Sequence, residues 1–215
     1  MNAARRPAQA DVAIPGESLA LRAIQDPEVE LTHTRATPAG AFLGARRMYL
    51  QGERVDMHAL AAQLSISRAT LYRWTGRREQ LLADILWSLS DEAFERAKAD
   101  HPEHTGVERL LAIFRQHVGL LVSAKPLHTF LQQETHAALR ILTSPDGGVQ
   151  PRTVWKLAEL YREERDAGAF QPRIDPDALA YAVVRVTESF IYNDALLTNE
   201  PDVERAAAIV AALLE

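Results

Sequence analysis

Five side chains between positions 68 and 78 carry the chemistry most legible in this chain: Arg68, Thr70, Tyr72, Trp74 and Arg78. A guanidinium can bind guanine O6 and N7 together, a threonine methyl can meet a thymine methyl, and hydroxyls can reach phosphate. Tyr72 and Trp74 add flat faces. Ala69 is small enough to stand close to a base, and His58 is a further phosphate candidate. Arg77 and Arg78 open a helix, where free backbone N–H groups and the dipole already favour an anion. The same residues also describe a solvated amphipathic helix with a few arginines, so their types alone leave both readings open.

The elements that position them are readable. Asp56 is a good N-cap, and behind it Met57, Leu60, Ala61 and Leu64 recur with the spacing of one buried helical face. Ser65 and Ile66 break that run, and Ser67 can cap a second helix from Arg68 to Trp74. Helices this short do not persist alone, because nucleation costs too much. They must pack on a neighbour, as in a helix-turn-helix. The neighbour is a helix from Thr37 to Gln51, with Pro38 in its first turn and Gly52 ending it; Ala41, Phe42, Ala45, Met48 and Tyr49 form its apolar stripe.

The order of residues narrows the reading. Ala61–Ala62–Gln63–Leu64, Ser65–Ile66–Ser67, Thr70–Leu71–Tyr72 and Arg78–Glu79–Gln80–Leu81–Leu82 together resemble the DNA-binding signature of the tetracycline-repressor (TetR) family. There are three departures. Ser65 replaces the usual turn glycine, which predicts a turn less strictly left-handed. Thr75 replaces a usual phenylalanine, and Arg78 replaces a phosphate-touching lysine. The Tyr72–Arg73–Trp74–Thr75–Gly76 run and the long N-terminal extension resemble a QsdR-like subgroup linked to degradation of lactone signals. The resemblance implies an all-α protein in three parts: a partly disordered extension (1–35), a three-helix DNA-binding domain (36–80) and a larger helical domain for ligand binding and dimerisation (81–215). It also implies a transcriptional regulator, usually a repressor, whose partners are operator DNA, a small-molecule effector and a second copy of itself.

Composition sets bounds. An apolar fraction of 47% with 25% charged residues is that of an ordinary globular protein. No run of 18 apolar residues spans a membrane, and the N-terminus lacks the apolar core of a secretory signal, so the expected compartment is the cytoplasm. The absence of cysteine excludes disulfides, thiolate metal sites and thiol catalysis. A net charge of −5 looks wrong for a DNA binder until it is placed. Residues 36–80 hold seven basic residues against three acids, whereas residues 81–215 carry eight more acids than bases. A basic head on an acidic body faces DNA by one side only.

The remaining chain reads as helices. Arg5 and Arg6 lie in an aperiodic tail and could reach a minor groove. A short helix is expected within 17–31. Leu81 to Phe94 give a long helix, from near Arg77 to about Ala99, a wide apolar face, so it links the DNA module to the second domain. Stretches follow at Val107–Lys125, 127–143, 152–167, 176–197 and 202–214. The stretch at 176–197 is apolar nearly all round, as befits a monomer's centre or a subunit interface, and 202–214 is more apolar than a single small domain readily buries. In the family the corresponding helices form a four-helix dimer interface, so a homodimer through them is expected, reading a palindrome.

Aromatic and polar residues on otherwise apolar faces mark the expected effector pocket: Trp87, Phe114, His117, Phe130, Glu134, Trp155, Glu188, Tyr192 and Asn193. With few basic residues on these helices, the effector is expected to be neutral or mostly apolar, a lactone being one example. No hydrolase elbow, phosphate loop, dinucleotide fingerprint or zinc-protease motif is present, so no enzyme activity and no cofactor are expected. His128, Glu134 and His136 do not share a helical face, so no metal site is expected; His101 and His104 are expected to be solvated. The alternative reading is a helical small-molecule-binding protein or enzyme without operator binding.

Overall fold

A computed structural model of the protein describes residues 17–26, 36–146, 148–193 and 201–215. Among these the regular elements are all helical. They are α1 (Leu19–Gln25), α2 (Pro38–Leu50), α3 (Met57–Gln63), α4 (Arg68–Thr75), α5 (Arg78–Asp100), α6 (Gly106–Val122), α7 (Lys125–Gln133), α8 (Thr135–Thr143), α9 (Gln150–Asp166), α10 (Pro176–Glu188) with a π-helical turn at Ser189–Asn193, and α11 (Val203–Leu214). The all-α expectation holds. No helix among the described residues is long and apolar enough to cross a membrane. Arg5 and Arg6 lie outside the described residues.

Local chemistry sets most boundaries. Thr37 Oγ1 accepts the Gly40 N–H at 3.0 Å and Pro38 follows at N1, starting α2. Asp56 accepts from His58 and Ala59, Ser67 from Thr70, and Asp175 from Asp177 and Ala178, starting α3, α4 and α10. The stretch expected as one helix over 127–143 is two. Glu134 leaves helical geometry at φ −133°, ψ 45°, so α7 and α8 meet at an angle with no proline or glycine between them. The expected helix at 176–197 is α-helical only to Glu188, and its end at 194–197 lies outside the described residues.

Two apolar cores hold the helices together. The first joins α1, α2, α3 and α4 to the first half of α5 and to α7 and α8, through Phe42, Leu60, Leu71, Leu82, Ile85 and Leu131. It therefore extends beyond residue 80. The second joins the last part of α5 to α6, α9, α10 and α11, through Phe94, Ile113, Tyr161, Leu179 and Val210. At 23 residues α5 is about 35 Å long and contributes buried side chains to both.

Candidate DNA-reading face and ligand cavity

Arg68, Ala69, Tyr72 and Arg73 form the exposed side of α4, at i, i+1, i+4 and i+5, with Leu71 and Thr75 buried behind them. His58 is also exposed. Thr70 is half-buried, and its hydroxyl stands 3.0 Å from Ser67 Oγ at the helix start. Trp74 is half-buried and packs on the first core. The turn before α4 is left-handed at Ser65, φ +54°, contrary to the expectation from the missing glycine. The packing of α3 on α4 requires that geometry whichever residue supplies it. Buried Thr75 is satisfied: its hydroxyl lies 3.0 Å from the Leu71 carbonyl, one turn back.

Arg78 is not part of this face. Its Nε donates to the Val55 carbonyl at 2.7 Å and its Nη2 to Glu134 Oε1 at 2.6 Å. It ties the start of α5 to the α2–α3 loop and to the α7–α8 break. Arg77 is exposed at the start of α5, and like Arg68 and Arg73 it makes no ion pair among the described residues. Arg73, which is not among the expected contacts, shares the face of Ala69.

Between α5, α6, α9, α10 and the π-helical turn lies a cavity of about 100 Å³. That is several times what one water needs, so it is more than a packing flaw. Its walls are mostly apolar, with Trp87, Phe94, Phe114 and Val183 among them. Two polar groupings interrupt them. In one, His117 Nε2 sits 3.2 Å from Ser90 Oγ and its ring meets Phe94 edge-on at 5.5 Å. Burial pushes the imidazole down to about 4, so at neutral pH His117 is uncharged. Lys156 stands at the same wall, 2.7 Å from Asp91 Oδ1 and 2.5 Å from Glu95 Oε1. Burial opposes its charge, but these two carboxylates outweigh it and hold its pKa up.

In the other grouping, Gln150 Nε2 donates to both Glu188 oxygens, at 2.8 and 3.1 Å, and Arg185 Nη1 donates to Glu188 Oε2 at 2.8 Å. Burial raises the Glu188 carboxyl despite those partners. Tyr192, beside it, is pushed up by burial and by the Glu188 charge. The π-helical turn brings Ile191 and Tyr192 onto the cavity wall, a distortion often found at functional sites.

Residues 105–215 match the family model for the tetracyclin repressor-like C-terminal domain, which covers half the chain. The chain belongs to the tetracycline repressor-like (TetR) family. Its fold is similar to the transcriptional repressor QsdR of R. erythropolis, at 28% identity and a TM-score of 0.76 over 82% of this chain and 93% of that one. It is also similar to the fatty acid degradation regulator FadR of Bacillus halodurans, at 17% identity and a TM-score of 0.53 over 81% of this chain and 94% of that one, a likeness of fold alone. No curated protein matches the sequence.

In this TetR-family chain the cavity gathers five of the expected pocket residues: Trp87, Phe114, His117, Glu188 and Tyr192. Three other expected residues stand outside it. Phe130 belongs to the first core, edge-on to Tyr49 at 6.0 Å. Glu134 is the partner of Arg78, and Trp155 does not reach the cavity wall. The side chain of Asn193 lies outside the described residues. Ser90, Asp91, Gln150, Thr153, Lys156 and Thr187 line the cavity and were not anticipated. Ser90 and Asp91 fall at i+3 and i+4 from Trp87, so the helical period carried the signal for those two. His101 and His104, expected to be solvated, are half-buried and turn toward each other, with ring centroids 5.6 Å apart.

Proposed function

We propose that this chain is a ligand-responsive transcriptional repressor that grips a palindromic operator as a homodimer and releases it when a small, mostly apolar and uncharged effector fills the cavity. The observation that carries the proposal is the course of α5. Its first turn adjoins the α4 reading face, while Leu86, Trp87, Ser90, Asp91 and Phe94, further along the same helix, line the cavity. A ligand that pushes on the second half of a stiff helix moves the first. Only its preference for the released conformation matters energetically.

The cavity's chemistry favours a neutral ligand. His117 is uncharged, Lys156 is neutralised by two carboxylates, and Glu188 is already engaged by Gln150 and Arg185. Among the described residues a polyanion would meet no free cation there. A lactone with an alkyl chain combines hydrogen-bond acceptors with apolar length, and it is the first compound class to test. The dimer reading is supported by Tyr181 on α10 and Ile209 and Leu213 on α11, large apolar side chains that this single chain leaves exposed. Two α4 helices related by a two-fold axis would then read two half-sites.

The test is a titration of the protein with DNA from its own upstream region at two salt concentrations, followed by addition of alkyl lactones. Saturable, salt-sensitive binding with preference over scrambled DNA, lost on adding a lactone, is the expected result. No preference for any DNA in a folded dimer overturns the operator reading.

A further inference from the structure

At the corner between α5 and α6 three potential metal ligands converge from one short segment. His101 caps the C-terminus of α5, and Glu103 and His104 follow it. One ligand atom from each lies within 4.8 Å of the others. We infer that His101, Glu103 and His104 form a binding site for a divalent transition-metal ion, separate from both the reading face and the effector cavity.

The geometry around His104 carries the inference. Its Nδ1 is enclosed by protein yet makes no hydrogen bond, while Glu103 Oε1 stands 2.9 Å away, off the direction in which an N–H would donate. Two adjacent ligands on a tetrahedral ion with bonds of about 2.1 Å stand about 3.4 Å apart, a separation the exposed Glu103 carboxylate reaches by a small rotation. The same imidazole presents its Nε2 to Glu108 Oε1 at 3.3 Å. That is the arrangement in which a carboxylate behind the ring orients a ligating histidine and raises its basicity. With Nδ1 on the metal and Nε2–H toward Glu108, both nitrogens of His104 have a use.

The surroundings hold the segment in place. Directly after it, the Gly106 N–H donates to Glu164 Oε2 at 2.7 Å, and Arg109 binds the other oxygen of the same buried carboxylate. Gly106 has φ +59°, and a Cβ there would meet the Ala169 carbonyl oxygen at 2.3 Å, so α6 starts hard against the end of α9. His101 at the C-terminus of α5 faces the negative end of a long helix dipole, which favours a cation. Two imidazoles and one carboxylate select a borderline ion such as Zn²⁺, Ni²⁺ or Cu²⁺ over Mg²⁺ or Ca²⁺, which take all-oxygen sites. The bound ion would staple the end of α5 to the start of α6.

The probe is Zn²⁺, titrated calorimetrically into the untagged full-length protein at neutral pH, with His101→Ala, His104→Ala, His104→Gln and Glu108→Gln beside the wild type. Expected is one equivalent bound by the wild type, weakened at least tenfold by each histidine substitution and less by Glu108→Gln. Zn²⁺ should raise the melting temperature of the wild type but not of the histidine variants. Far-UV circular dichroism checks that each variant is folded, and His128→Ala should bind as the wild type does. A wild type that binds Zn²⁺ no more tightly than the His101→Ala/His104→Ala double variant overturns the site, whether both bind or neither does.

Discussion

Asp84 on α5 and Arg152 on α9 face each other with both side chains sealed from solvent, Arg152 Nη1 donating to Asp84 Oδ1 at 2.9 Å. Asp84 also accepts from the Ser18 N–H at 3.3 Å and from Gln80 at 3.1 Å, so α1, α5 and α9 meet on one carboxylate. Arg152 Nε and Nη2 are enclosed and make no hydrogen bond. Removing one partner leaves the other charge buried and alone. Asp84→Ala or Arg152→Ala should each destabilise the protein by about 3–5 kcal/mol in urea denaturation. The apolar pair Asp84→Leu/Arg152→Met should recover most of that loss. A double variant as unstable as either single one would show that the carboxylate is needed for what it holds besides Arg152.

Ser65 adopts a left-handed backbone in the turn before α4. An L-residue with a Cβ pays about 1–2 kcal/mol there, partly offset by the extra chain entropy that glycine loses on folding. Ser65→Gly should therefore stabilise by about 0.5–1 kcal/mol and raise the melting temperature by about 1–4 °C. Ser65→Ala should show no such gain. An unchanged or lower melting temperature in the glycine variant would mean that the serine hydroxyl supplies a compensating bond.

His117 gives the cavity a pH response. The folded protein holds its pKa at about 4, below the ordinary 6.5, because burial disfavours the imidazolium. Its contribution to stability is complete above pH 6.5 and is lost as pH falls through 4, since the unfolded chain takes up the proton first. The loss should reach about 2 kcal/mol by pH 4, less than the full shift because the ring borders an open cavity. Glu188, raised by burial, acts in the opposite sense, gaining stability when it is protonated. Urea denaturation between pH 8 and 4 should thus show a shallower decline in His117→Gln than in the wild type. Parallel curves would mean that His117 is not the group responsible.

What the sequence disclosed follows from how local the physics is. Thr37–Pro38, Asp56, Ser67 and Asp175–Pro176 start helices through bonds to residues two or three positions away, so their sites were readable. The α7–α8 break was not, because Glu134 is held by Arg78 from 56 residues earlier and no proline or glycine marks it. The pocket was half-legible for the same reason. Periodicity puts Phe130 and Trp87 alike on buried faces, but which of two cores a face joins depends on partners distant in sequence. The Asp84–Arg152 pair was invisible, since each residue alone resembles a solvated charge. His101 and His104 are only three positions apart, yet their approach depends on the non-helical backbone between α5 and α6.

The three arginines at 68, 77 and 78 should separate into three behaviours. Arg68 is exposed on the first turn of α4, where side chains reach base edges. Arg68→Ala should weaken operator binding by about 1–3 kcal/mol and relax the preference at one base position. Arg77 is exposed at the start of α5, so Arg77→Ala should weaken all DNA sequences alike and lower the slope of log affinity against log salt by about 1. Arg78 is held by Val55 and Glu134 and is largely turned from solvent. Arg78→Ala should leave the salt slope nearly unchanged while costing about 1–3 kcal/mol of stability, because two charge-assisted bonds are lost and Glu134 keeps its charge without its closest partner. Fluorescence anisotropy at several salt concentrations, with thermal denaturation of the same samples, distinguishes the three. A fall in salt slope for Arg78→Ala equal to that for Arg77→Ala would return Arg78 to the phosphate contacts. It would then follow that the Arg78–Glu134 bond opens when DNA binds.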